Sequence, residues 1–328
     1  MDNAKEYVKL YMQKREECFK KWGYYYPPRE WSEFETRNDK VFQKYLKKKE
    51  EQNNLLSMTK GYVSLLNNTK EFGFFHAFTK NDYNLLNNVL YQTSRQELLN
   101  SGMTASGTDH CNVLMNALSS FACNDFEVIE YFFPRELPLS KGRFYTENSV
   151  NLLKILYYKE NHLLDETLTK VQKFLGKKIT LWEKYVVSYF LSLINRDTEQ
   201  ANFCLQELCT AYQKSGDLDK LDKCFASEIH GLYRFARLID EPFFKGIKRP
   251  KHACFFEEFE NWQAEQGYPQ GRLFYIYPQE MDYMNKIFEA QLPTVTLIKS
   301  SNSSRKEFYK DVEKFAFDLT ENVKKISG

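Results

Sequence analysis

The chain has 328 residues, 42% apolar and 16% aromatic, with 27 Phe and 22 Tyr. That payload excludes disorder and suffices for one large core or two smaller ones. Its 46 basic and 44 acidic residues leave a formal charge of +2, so no bulk field draws it to nucleic acid or to an anionic membrane.

No window approaches the ~18 uncharged apolar residues of a spanning helix. The opening Met1-Asp2-Asn3-Ala4-Lys5-Glu6 is charged, unlike a secretory leader. Cysteines at 18, 111, 123, 204, 209, 224 and 254 are odd in number and lack CxxC spacing. They predict reduced thiols in a cytoplasmic protein.

Val8, Tyr11, Met12, Arg15, Phe19 and Trp22 share one stripe of an N-terminal helix that Gly23 ends. Pro27-Pro28 keeps the following connection extended. A second helix starts near Trp31 and runs through Val41, Tyr45 and Leu46. Its charged continuation, Lys47 to Glu51, reads as a solvated face. Residues 55–78 are expected to be helical with an interruption near Gly61. Asn81-Asp82 caps a clearer helix from Tyr83 to Leu99. Ser101 to Asp109, rich in Ser, Gly and Thr, is the best candidate for a loop and a boundary.

The middle third then repeats itself. Leu114, Leu118 and Phe121 break at Asn124-Asp125 and resume at Val128, Ile129, Phe132 and Phe133. Leu152, Ile155 and Leu156 break at Lys159-Glu160-Asn161 and resume at Leu164, Leu168, Val171 and Leu175. Val186, Tyr189, Phe190 and Leu193 break at Asn195-Arg196-Asp197 and resume at Ala201, Leu205, Leu208 and Tyr212. A shift of about 37 positions superimposes the second pair on the third, the mark of helical hairpins that bury their apolar faces only by stacking. Ser215-Gly216-Asp217 ends the third pair, and a long helix is expected from about Leu218 to Ile239.

Beyond Pro242, Phe255, Phe256, Phe259 and Trp262 predict a core-facing helix closed by Gly267-Tyr268-Pro269. A short extended segment (272–277), a helix over Met281–Leu292 and a strand or extended crossing over Pro293–Ile298 follow. A serine-rich loop at 300–304 leads to a final amphipathic helix carrying Phe308, Val312, Phe315, Leu319 and Val323. The predicted fold is all-α: stacked antiparallel helical hairpins, a tetratricopeptide-like array, with flanking N- and C-terminal helices. A single domain spans 1–328, with helices of 1–105 packed on repeats over 106–240 and a C-terminal helical segment over 241–328.

Chemistry is sparse. The five histidines, His76, His110, His162, His230 and His252, form no HExxH and no zinc-finger spacing. His110 adjoins Cys111, but neighbours on a helix diverge by roughly 100°. His230, one turn before Arg234, reads as a satisfied, half-buried histidine. The 101–109 loop lacks the Gly-Lys-Ser/Thr ending of a phosphate cradle. Asp165-Glu166, the Asp217/Asp219/Asp222 group and Glu257-Glu258-Glu260 supply carboxylates; Asp165 and Asp217 read as helix caps or first-turn acids. No residue set supports an enzyme, and no cofactor or metal is expected.

In pattern and order, residues 112–300 resemble the immunity-49 family of bacterial polymorphic-toxin immunity proteins. The resemblance rests on Ala117-Leu118-Ser119-Ser120-Phe121 followed by Asn124-Asp125 and Glu127-Val128-Ile129, then on Leu156-Tyr157-Tyr158. It continues in the helix Ile229-His230-Gly231-Leu232-Tyr233-Arg234-Phe235-Ala236-Arg237, in Phe255–Trp262 and in Gly267-Tyr268-Pro269. It implies an all-α protein, made beside a toxin, that binds it and protects the producing cell. The expected partner is therefore a cognate protein toxin, not nucleic acid and not a membrane. The candidate contacts are Asp165, Glu166, Asp217, Asp219 and Asp222. A peptide-binding adaptor of tetratricopeptide type is the alternative.

Overall fold

The computed structural model describes residues 2–51, 55–65, 70–104, 109–299 and 308–327. Among the described residues helix makes up 71% against a single two-stranded ribbon, so the all-α class holds and its helices pack in pairs. The chain opens with α1 (Asp2–Trp22), α2 (Trp31–Glu51), α3 (Leu55–Leu65), α4 (Lys70–Lys80) and α5 (Tyr83–Thr104). Next come α6 (Leu114–Phe121), α7 (Val128–Phe132), α8 (Tyr145–Tyr158), α9 (Leu164–Leu175), α10 (Leu181–Ile194) and α11 (Thr198–Lys214). Then follow α12 (Ser227–Ile239), α13 (Glu241–Phe244), α14 (Glu257–Glu265) and α15 (Asp282–Glu289). Strands β1 (Leu297–Lys299) and β2 (Phe308–Lys310) pair antiparallel, and α16 (Val312–Ser327) closes the chain. No described helix is long and apolar enough to cross a membrane, and all seven cysteines are buried.

Contacts divide the chain into two compact units. One holds Met1–Asn3 and Cys111–Pro269, the other Ala4–His110 and Gln270–Gly328. The segment expected as one C-terminal piece, 241–328, is thus split at Pro269.

In the 111–269 unit the hairpin turns share one device. Asn124, Lys159 and Arg196 each adopt positive φ, at 59°, 58° and 52°. The next amide then reaches back five residues: Asp125 N–H to the Ser120 carbonyl (3.0 Å), Glu160 to Ile155 (3.2 Å) and Asp197 to Ser192 (2.9 Å). This left-handed closure satisfies carbonyls that the helix end leaves orphaned. Asp197 then caps α11 by accepting from the Gln200 amide, and a Thr180/Glu183 capping box starts α10. A side chain with a Cβ pays ~1 kcal/mol for this backbone. Lys159→Gly is therefore expected to raise the unfolding free energy by about 1 kcal/mol, read as a higher urea midpoint, and an unchanged or lowered midpoint would count against a left-handed Lys159.

α8 packs on α9 and α10, and α10 on α11, as the repeat predicts. The first pair differs. α7 is only five residues long, stopped before Pro134, and α6 lies chiefly against α12 instead. The two serine hydroxyls of Ser119 and Ser227 meet there at 3.0 Å, and Phe121 stacks on Phe235 with centroids 5.6 Å apart. The long helix expected from Leu218 begins only at Ser227. Residues 222–224 form a 3-10 turn and Phe225 is extended, because the Ala226 amide donates to the Cys254 carbonyl at 3.0 Å.

The second unit is built on aromatics. Tyr11 stacks on Phe75 with centroids 4.3 Å apart, and Phe34 on Phe72 at the same distance. α16 packs on α3, α5 and α15. Several boundaries move relative to the sequence reading. The buried stripe of α1 is Tyr7, Tyr11, Arg15 and Cys18, which leaves Phe19 and Trp22 exposed. Gly61 lies inside α3 under the side chain of Lys48, not at an interruption. α5 runs on to Thr104 because Gly102 admits the Phe315 ring and Met103 is buried. Only 109 of the remaining expected loop is described, with 105–108 outside the described residues, as is the serine-rich stretch 300–304. Phe308 belongs to β2, not to the last helix.

Candidate protein-interaction surfaces

Asp165 and Glu166 stand exposed on the first turn of α9, where helix-end amides favour acids; Glu166 pairs with Lys170 at 2.8 Å. Asp217, Asp219 and Asp222 fall in the connection between α11 and α12. Asp219 there accepts from the Asp222 amide at 2.8 Å, and the Asp217 amide donates to Ser215 Oγ at 3.3 Å. Asp217 starts no helix, because that helix begins ten residues later. The two acidic groups occupy different elements.

Among the described residues a second kind of surface stands out, a run of exposed aromatics. Where α1 ends, Phe19, Trp22, Tyr24, Tyr25 and Tyr26 are between 38% and 55% exposed. The rings are ordered by one another and by cations. Phe19 stacks on Tyr25 at 4.3 Å and Trp22 on Tyr24 at 6.2 Å. The Arg15 guanidinium lies 4.4 Å from the Tyr25 centroid, Lys21 Nζ 4.7 Å from Trp22, and Arg37 4.3 Å from Tyr26. Arg15 is itself fixed by the Pro27 carbonyl and by Glu33, each at 2.7 Å. Rigid Trp, Tyr and Arg side chains of this kind dominate protein–protein hot spots. The available signal is Trp22-Gly23-Tyr24-Tyr25-Tyr26, but the helical stripe assigns Phe19 and Trp22 to a buried face, and the three tyrosines lie beyond the periodic element.

In the 111–269 unit, the turn ends of α8, α10 and α12 surround a cleft of about 400 Å³. Ile155, Leu156, Leu193 and Ile239 supply apolar lining, with Lys159 and Arg196 among the polar residues.

Beneath α12 lies a charged network with no exposure. Glu260, on α14, accepts from Arg234 Nε at 2.7 Å and from His230 Nδ1 at 2.6 Å. His230 Nε2 accepts from the Phe256 amide at 3.1 Å, which places the ring proton on Nδ1. Arg234 Nη1 donates to Asn124 Oδ1 at 3.2 Å, and Asn124 Nδ2 donates to Gln263 and to the Pro269 carbonyl. The guanidinium also faces the rings of Tyr268 and Phe259. Burial alone would raise Glu260, but Arg234 and the His230 N–H override it and hold the carboxyl at about 2. Burial pushes His230 below the usual histidine value, against the pull of Glu260. With both ring nitrogens engaged, His230 joins α12 to α14; it is fully rather than half buried.

No family model matches the chain, and comparison with curated proteins and with solved structures likewise finds no match.

Proposed function

We propose that the chain is a cytoplasmic immunity protein that binds a protein toxin made beside it and neutralises the toxin by covering a surface the toxin needs. The observation that carries this reading is the ordered aromatic surface from Phe19 to Tyr26. Contiguous exposed rings on a charged surface mark an interaction site, and holding them by stacking and cations lowers the entropy lost on binding. The paired helices supply a rigid frame for a contact of standard size, about 1,600 Å² in all. The order of segments resembling the immunity-49 family supports the same partner class.

The decisive experiment co-expresses the chain with the toxin encoded next to it. Wild type is expected to restore growth and to form a one-to-one complex. The combined Trp22→Ala and Tyr25→Ala variant, truncated at exposed rings, is expected to keep its melting temperature. It should lose at least 100-fold in affinity, at about 1.4 kcal/mol per tenfold. Full affinity in that variant removes the aromatic surface from the interface. Reversal of Asp217, Asp219 and Asp222 to Lys tests the acidic contacts: weakened, salt-sensitive association is expected, and an unchanged on-rate discards them.

The cleft between the turn ends favours the second reading, a peptide-binding adaptor, because about 400 Å³ with apolar lining falls in the range of ligand sites. Failure of wild type to restore growth, together with loss of peptide capture in Ile194→Glu, a change at a residue that also lines the cleft, would move the assignment there.

A further inference from the structure

One face of α11 grips an extended stretch of the same unit. Asn202 donates to the Gly246 carbonyl at 3.3 Å and accepts from the Lys248 amide at 2.7 Å. One turn on, Gln206 accepts from the Lys251 amide at 2.9 Å. These positions fall at i and i+4 of the helix, and the next two of the same stripe, i+7 and i+11, are Cys209 and Gln213. The gripped chain therefore delivers His252 and Cys254 to Cys209. The two sulfurs and an imidazole nitrogen all lie within 4.8 Å of one another. Both cysteines are wholly buried, while His252 keeps partial access to solvent. The backbone of Cys254 is fixed as well, its amide meeting His252 Nδ1 at 3.3 Å and its carbonyl accepting from Ala226.

We propose that Cys209, His252 and Cys254 bind a thiophilic d10 cation, zinc, as a three-ligand site. Zn–S bonds of ~2.3 Å and a Zn–N bond of ~2.0–2.1 Å set tetrahedral ligand atoms roughly 3.5–3.8 Å apart. The cluster reaches that spacing with side-chain shifts of no more than about an ångström, small enough for rotamer adjustment on a pinned backbone. Binding forms two Zn–S bonds and one Zn–N bond. The thiol protons pass to solvent, two thiolates balance the cation, and water takes the fourth position on the His252 side. The bound ion ties the 246–254 stretch to α11 and to the start of α12. This site is independent of the proposed binding surface, and its test needs no toxin.

The experiment uses the full chain, reduced and stripped with chelator, and titrates Co2+ as a spectroscopic probe, then Zn2+ in competition. One equivalent is expected, with a thiolate-to-cobalt charge-transfer band and tetrahedral visible bands that Zn2+ bleaches. The bands should vanish in Cys209→Ser and Cys254→Ser and survive in Cys204→Ser, a buried cysteine of the same helix outside the cluster. Should the serine variants fail to fold, His252→Ala decides, since its ring is partly exposed: a loss of tenfold or more in Zn2+ affinity is expected. Absent bands in reduced wild type, bands that survive in the serine variants, or unchanged affinity in His252→Ala would each overturn the proposal. Formation of a Cys209–Cys254 disulfide with hydrogen peroxide, without metal binding, would replace it by a redox pair.

Discussion

Glu260→Gln is expected to lower the stability of the 111–269 unit by about 3–5 kcal/mol, the cost of breaking a buried ion pair from one side. The substitution keeps shape and volume, so the loss reports charge. Arg234 has no exposed surface, and its guanidinium would remain in the interior with only Asn124 and two aromatic faces to compensate it. Removing both partners should cost less. Glu260→Leu combined with Arg234→Met leaves neither charge stranded, and its loss is expected to fall below that of either single change. Equal or additive losses would mean that Glu260 and Arg234 do not act as a pair.

The pH profile reads the same network. His230 is depressed in the fold, so the unfolded chain takes up a proton that the folded one refuses. Stability from this source is complete above ~6.5 and drains as pH falls below it. Glu260, held at about 2 against an unfolded value of ~4.3, adds stability that is full above that value and drains as pH falls towards 2. Wild type should therefore lose stability in two stages on acidification, and Glu260→Gln should lack the lower one. Urea unfolding between neutral and mildly acid pH checks the first stage.

What was legible in the sequence follows from which forces are local. Asn124, Lys159 and Arg196 were read as polar breaks because a turn shows in composition over three or four residues, and each proved to be a left-handed helix stop. Phe255, Phe256 and Phe259 were read as core, and they are buried. Register was harder. On α1 the buried face is Tyr7, Tyr11, Arg15 and Cys18; a stripe drawn through Val8, Met12 and Trp22 is equally helical, and only the partner aromatics decide between them. The pairing of α6 with α12 joins Ser119 to Ser227 across 108 positions, and no window of periodicity contains it.

Glu260 shows the same limit at the site. It was read among the carboxylates of Glu257-Glu258-Glu260, yet it lies on the buried stripe with Phe256, Phe259 and Gln263 while Glu257 faces solvent. An acid on an apolar stripe, with His230 and Arg234 one turn apart on another, was the available signal. Matching the two stripes required the fold. His252 and Cys254, 43 or more residues after Cys209, meet it only through the amide grip of α11.

Gly231→Ala should cost at least ~3 kcal/mol, the upper end of what overpacking a close contact does. In an exposed helix the same change gains ~1 kcal/mol from propensity, so the sign itself is diagnostic. A Cβ on Gly231 would stand 1.8 Å from the Leu118 carbonyl oxygen, 2.6 Å from its carbon and 3.1 Å from its Cα. All three are backbone atoms of α6, and no rotamer moves them away. The helices must separate, which opens the Phe121–Phe235 stack and the Ser119–Ser227 hydrogen bond and carries His230 and Arg234 out of register with Glu260. Gly216 supplies the contrast: nothing lies within 4 Å of its would-be Cβ, so Gly216→Ala should gain ~0.4–1 kcal/mol by restricting the unfolded chain. Urea midpoints for the two variants measure the difference directly. A Gly231→Ala midpoint at or above wild type would mean that α12 does not lie this close to α6, and the close packing that seats the buried network would have to be abandoned with it.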